Sequence, residues 1–214
     1  MPLIEHTTPT PRVPTTRRVD TVTPRLQAGR RPRFSADDVV GTALRLGLGT
    51  FSVAAVAREL GVTTAAVYRR FPSHRDLLEE CLSRILAEVR PLTEEVSWQD
   101  ALRRGAAEWW ALCLKYPELP QVVSRFDDQV GQFVIKPFRS YGRRLIEDGF
   151  TERQAYFVAS LVLNAISFVF SLPEDSGSGP TREFMRTRAV EIIVKGIDKG
   201  DVGWQLLNDG SADR

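Results

Sequence analysis

Residues 53–71, VAAVARELGVTTAAVYRRF, set two short helical patterns on either side of one glycine. Val53, Val56, Ala57 and Leu60 recur at i, i+3, i+4 and i+7, the spacing of one helix face, with Ser52 in the capping position before them and Gly61 to end them. Thr63 opens a second stretch through Phe71, in which Val67 and Phe71 fall on the inner side, and Pro72 stops it. Helices this short are not stable alone and must bury their apolar faces together. The preceding segment, FSADDVVGTALRLGLG, supplies a third element. Ser35 is its cap, Asp37 and Asp38 sit in the first turn, Val39, Val40, Ala43 and Leu44 form a stripe, and Gly47 and Gly49 stop it. Three short helices, the second and third joined by a tight glycine turn, describe a helix-turn-helix.

Beyond Pro72 the pattern stays helical. SHRD restarts the chain with a serine cap and an aspartate three residues later. Helices are expected over about 76–90, 98–115, 118–126, 128–148 with a break or kink at Pro137, 152–172 and 181–199. Pro91 and YPELP act as stops, Thr151 and Gln154 form a capping box, and PEDSGSGP at 173–180 is a loop. There is no hairpin signal and no internal repeat. The fold class expected is therefore all-α, with an N-terminal helix-turn-helix domain over 34–78, a larger helical body over 79–200 and a tail over 201–214. Residues 1–33, rich in Pro, Thr and Arg without an apolar face, cannot offset their ordering entropy and are expected to be disordered.

A chain of 214 residues, 43% hydrophobic, is long enough to bury a sizeable core. Its charge is unevenly spread. Residues 1–75 hold twelve arginines and no lysine against five acids, which makes +7, so the whole-chain value of +2 leaves −5 for the rest. A basic end on an acidic body suits a polyanionic partner. Cys81 and Cys113 both fall in apolar helical patterns and read as buried thiols of a reducing cytoplasm. The N-terminal stretch has no apolar leader pattern, and the longest apolar run, near Leu161–Phe170, reads as too short and too polar to cross a membrane. A cytoplasmic protein without a membrane partner is expected. An enzyme is not: the histidines are His6 and His74, the cysteines and carboxylates lack metal spacing, and no glycine-rich phosphate loop follows a strand. No metal and no cofactor are implied.

The outer face of the second motif helix presents Thr64, Ala65, Tyr68, Arg69 and Arg70, while Ser52 and Thr63 put hydroxyls at the two helix starts. Hydroxyls and a helix N-terminus suit phosphate or base-edge contact, arginine reads guanine bidentately, alanine packs on a thymine methyl, and a tyrosine tip bonds phosphate. The alternative is a helical protein-interaction module, which would carry acids or prolines where Tyr68, Arg69 and Arg70 stand.

From Phe34 to Leu78 the chain resembles the DNA-binding domain of the tetracycline-repressor (TetR) family of bacterial transcription regulators. VAAVARELGVTTAAVYRRF followed by PSHRDLL carries the likeness: the apolar-x-x-Ala-x-x-Leu-Gly-Val core, the pair Tyr68 and Phe71, and Asp76-Leu77-Leu78 opening the next helix. The resemblance implies a homodimer whose paired recognition helices enter successive major grooves of a near-palindromic operator on double-stranded DNA. It implies also a helical body that binds a small-molecule effector, acting as a repressor relieved by that ligand. KYPELPQVV resembles the family's break between body helices, and the last two helices stand where such proteins dimerise. One position departs. Six residues after Tyr68 the family carries a phosphate-binding lysine, where this chain has His74 with Arg75 beside it. DNA binding is then expected to tighten as pH falls from about 7.5 to 6. Arg30, Arg31 and Arg33, just before the first helix, would follow the DNA backbone or enter a minor groove, or else belong to a tail with incidental arginines.

In the body, the candidates for ligand contact are Trp109, Trp110, Phe133, Tyr141, Asn164 and Phe168, against the reading that helical aromatics are core. Adjacent tryptophans on a helix lie about 100° apart, so one of the pair is expected inside and the other at a pocket edge or interface. Asn164 interrupts SLVLNAISFVF and reads as a buried amide that needs partners, either across a dimer bundle or on a ligand. Glu108 is a weaker candidate for a cation, against a solvated face. For the dimer interface, small residues Ala155, Ala159 and Ser167 would allow close approach, and Ile192 and Ile193 belong to the apolar stripe of the last helix.

Overall fold

The computed structural model describes residues 34–125, 134–173 and 181–198. The arm with Arg30, Arg31 and Arg33, Phe133, all of the expected 173–180 loop but Pro173, and the tail lie outside the described residues. The elements in order are α1 (Ala36–Leu46), α2 (Val53–Glu59), α3 (Thr64–Tyr68), α4 (His74–Leu86), α5 (Trp98–Lys115), α6 (Leu119–Ser124), a 3-10 turn (Lys136–Phe138), α7 (Arg139–Glu147), α8 (Glu152–Ser171) and α9 (Arg182–Asp198). No strand occurs among the described residues, so the fold is all-α, with a helix-turn-helix at its head and further helices behind it.

Local sequence accounts for the helix ends. Ser35 and Asp38 close a reciprocal capping box on α1, Ser35 N–H reaching Asp38 Oδ2 at 2.7 Å and Asp38 N–H reaching Ser35 Oγ at 3.1 Å. These bonds, the backbone one first, hold the Asp38 carboxyl below the usual carboxylate range. Ser73 with Asp76 and Thr151 with Gln154 repeat the box on α4 and α8. Helix α4 ends at Leu86, short of the expected 90, because the chain tightens there: Glu88 N–H bonds Ile85 O and Val89 N–H bonds Leu86 O, both three residues back. Pro137 does break the expected 128–148 pattern. It sits at the start of the 3-10 turn, and α7 begins only at Arg139.

One apolar core runs from the helix-turn-helix into the body and includes Val67, Leu77, Leu82, Ile85, Trp109, Leu119, Leu145 and Ile166. Helix α4 crosses residue 78 and buries Leu77 together with Cys81, Leu82, Ile85 and Leu86, so the two parts of the protein share that helix. Burial pushes the thiols of Cys81 and Cys113 up to about 12, which keeps them protonated and unreactive. Helix α8 packs against α5, α6, α7 and α9. At 20 residues and a mean hydropathy of 1.5 it is, against the sequence expectation, long and apolar enough to span a membrane by composition alone. Its central place in the helical body explains that apolar content, since four neighbours call for hydrophobic residues on more than one side.

Candidate functional site

The turn between α2 and α3 is built by Gly61. Its φ of +64° lets its N–H reach Arg58 O at 3.1 Å and lets Val62 N–H reach Ala57 O at 2.9 Å, the paired bonds of a Schellman ending. The chain then turns into α3, capped by Thr63, whose hydroxyl accepts Ala66 N–H at 3.3 Å. Ser52 caps α2 in the same way through Ala55 N–H at 3.1 Å. Each hydroxyl accepts within its cap and keeps its own proton to donate outward.

Helix α3 is held from within. Val67 is fully buried and Ala66 and Phe71 nearly so, with the valine contributing about 1.5–3 kcal/mol of apolar burial. Its opposite side is open: Thr63, Thr64, Ala65, Tyr68, Arg69 and Arg70 are all exposed, Tyr68 at 46%. Arg69 and Arg70 make no ion pair among the described residues. The result is a short rigid helix offering hydroxyls, a methyl, a phenol and two guanidinium groups together, the chemical set that reads base edges and clamps phosphates.

His74 stands at the first turn of α4, exposed, with its ring stacked on Phe51 at 4.6 Å between centroids and 23° between planes. Its Nε2 lies 3.3 Å from Phe51 O. A carbonyl only accepts, so Nε2 carries the proton and the neutral ring is left with Nδ1 as an acceptor. Phe51 was not singled out by sequence, because an aromatic in a glycine-rich loop gives no periodic signal. Arg75 is engaged with Glu79, Nε to Oε1 at 2.8 Å.

The body side chains proposed for a ligand are placed differently. Trp109 and Trp110 are 1% and 9% exposed, so both are buried within the single chain, where the sequence expectation is one inside and the other at a pocket edge or interface. Two partners make this possible: Trp109 Nε1 donates to Ser167 Oγ at 2.9 Å, and Trp110 packs edge-on to Phe170 beneath the Arg186 guanidinium. Tyr141 is buried over Gly105 and donates to Arg90 O at 2.7 Å. Asn164 is not buried. It lies on the exposed side of α8 with Phe157, Leu161 and Phe168, the last 67% exposed, so neither Asn164 nor Phe168 points into the body. Ala155 is buried and Ala159 half-buried, while Ser167 is spent on Trp109, so the small-residue stripe faces inward, away from that exposed side. Ile193 packs against the core, whereas Ile192 is 69% exposed. Glu108 meets no free cation site: Arg90 Nη2 lies 2.6 Å from its Oε1. Among the described residues no group of three metal-ligating side chains comes together.

The fold and the α3 surface define the class: a helix-turn-helix DNA-binding protein. The similarity to known proteins falls on the same segment. The family model described as "Bacterial regulatory proteins, tetR family" matches residues 45–81, the segment from the end of α1 into α4. A 100-residue stretch is 33% identical to the HTH-type transcriptional repressor DrrR1 of Streptomyces coeruleorubidus. That match spans 44% of this chain and 37% of that repressor's length. The likeness to the tetR family thus lies in the helix-turn-helix segment at the head of the helical body.

Proposed function

We propose that the protein is a homodimeric, sequence-specific transcriptional repressor, working in the cytoplasm on a near-palindromic operator and released from it when a small molecule binds the helical body. The observation that carries this reading is the two-sidedness of α3, anchored through Val67 and Phe71 and exposed through Thr64, Ala65, Tyr68, Arg69 and Arg70. The name of the Streptomyces relative, a transcriptional repressor, favours repression.

Dimerisation is supported by the outer stripe of α8, Phe157, Leu161, Asn164 and Phe168 at i, i+4, i+7 and i+11, continued by Phe184 and Ile192 on α9. Two such helices from each subunit would form a four-helix interface. In it Asn164 would find its amide partners across the bundle. Ligand control needs a link between body and DNA-binding unit, and α4 offers one. Just past its C-terminus, Glu88 accepts from Lys115 Nζ and from Tyr116 Oη, both at 2.7 Å. Burial pushes the Glu88 carboxyl up, but these two bonds outweigh it and hold the group low. A body conformation that moved α5 would carry α4 with it and change the spacing of the recognition helices, a coupling of about 1–3 kcal/mol in such systems.

The test is selection of purified protein against a random-sequence duplex DNA pool at physiological salt, with sequencing of the retained fraction. Enrichment of a palindrome with half-sites about one helical turn apart, roughly 34 Å, is expected. Retention without enrichment would overturn the reading and leave a basic helical interaction module.

A further inference from the structure

Among the described residues the body encloses little space between α5 and α8. The apolar space under Gly105, Tyr141 and Leu163 amounts to about 20 Å³, room for one water. The roomy site is elsewhere: an open cleft of about 590 Å³ between the 3-10 turn, α7 and α8. That volume falls within the range of small-molecule sites.

Its lining is sharply divided. Lys136, Arg139 and Arg143, spaced at i, i+3 and i+7 along the 3-10 turn and α7, bring three exposed cations to one side. None of them makes an ion pair among the described residues, and Glu152 is the one carboxylate of the lining. By contrast the neighbouring Arg144, outside the cleft, holds both Glu147 at 3.0 Å and Asp148 at 2.9 Å. Like charges one helical turn apart are unfavourable unless an anion is shared between them. Phe138, Ile146 and Ala159 supply the apolar part of the wall. Phe138 and Ala159 also wall the small interior space, so an occupant of the cleft would press on the packing of α5 against α8.

We propose that this cleft binds an amphipathic organic anion, its acid group held by Lys136, Arg139 and Arg143 and its apolar body against Phe138, Ile146 and Ala159. Binding itself is independent of the regulatory reading; the anion's role as effector rests on the ligand-relieved repression proposed above.

The experiment is calorimetric titration of the full chain, free of DNA, with decanoate below its micelle-forming concentration, and with decyltrimethylammonium as the matched cation. Saturable decanoate binding without binding of the cation is expected. Arg139→Gln/Arg143→Gln, a change of two exposed side chains, should weaken decanoate by about tenfold or more. Arg58→Gln, an exposed arginine of α2 outside the cleft lining, should leave it unchanged. Equal binding of both amphiphiles, indifference to the Arg139 and Arg143 substitutions, or equal loss on Arg58→Gln would each overturn the site. Displacement of the selected operator by decanoate is then measured separately. Binding without displacement would sink the effector role and keep the site, whereas displacement without an effect of the arginine substitutions would sink the site and keep ligand control.

Discussion

Glu118 reaches across 69 residues of sequence to accept the backbone N–H of Gly49, Oε2 to N at 2.7 Å. Glu118 is the N-cap residue of α6, and Gly49 lies in the loop between α1 and α2, so one carboxylate ties the body to the loop that precedes the helix-turn-helix. Glutamine keeps an acceptor at this position and alanine does not. Glu118→Ala should lose about 1 kcal/mol of stability and expose the Gly49 amide to solvent exchange, with Glu118→Gln close to the parent. Hydrogen exchange read at Gly49 decides the matter: an unchanged rate in the alanine variant would mean that the amide is sheltered by something other than this carboxylate.

The same loop makes Gly47 more exacting than Gly61. Both have positive φ, +105° and +64°. At Gly61 a Cβ would meet nothing within 4 Å, so alanine there costs only the left-handed backbone, about 1–2 kcal/mol. At Gly47 a Cβ would run into Thr50 Oγ1 and come within 3.2 Å of Glu118 Oε2. The Thr50 hydroxyl is itself bound to Leu46 O at 3.0 Å and has little freedom to yield. Gly47→Ala should therefore destabilise more than Gly61→Ala, by about 2 kcal/mol or more in total. Urea midpoints of the two variants in the reverse order would refute this account.

Much of this arrangement is legible in the sequence, and the parts that are not share a cause. Helix α5 runs over Trp98–Lys115 as expected, because Ser97 caps it and the following Tyr116-Pro117 cannot continue it. The α3 face is equally readable, since a short helix with one apolar side has one way to lie. Helix α8 is different. It is apolar nearly all round, so periodicity cannot say which side meets its own core and which is left open, and the inward turn of Ala155 and Ala159 and the outward one of Asn164 cannot be read from it. The Glu118–Gly49 bond is invisible for another: no local pattern marks two polar groups that meet only after the chain has folded.

On the α3 face the two neighbouring side chains should separate by role. Arg69→Ala should cost about 1–3 kcal/mol and relax preference at one base position if the guanidinium reads a base edge. Tyr68→Phe should weaken all sequences alike, by about 0.5–1.5 kcal/mol, if its hydroxyl bonds phosphate. Affinities of both variants for the selected operator and its single-base mutants measure this. Uniform loss in Arg69→Ala would move that residue to the backbone.

At His74 the bond to Phe51 O and the stack on the Phe51 ring hold the imidazole at the start of α4. His74→Lys should raise operator affinity about threefold or more and steepen its salt dependence by about one counterion, because it puts a permanent cation at that helix start. An unchanged affinity and salt slope would mean that this position does not meet a phosphate.

The outer stripe of α8 gives the last prediction. Leu161 is 41% exposed in the single chain, between Phe157 and Asn164 on the same side. A charge there costs a lone subunit little, because that side is already solvated. In a four-helix interface it would be buried without a partner in both subunits at once. Leu161→Glu should therefore give a folded monomer by sedimentation, with helix content retained. Operator affinity should fall about a hundredfold, since each half-site then binds without the effective concentration that dimerisation supplies. A dimer that survives Leu161→Glu with unchanged affinity would place the subunit contact on some other face.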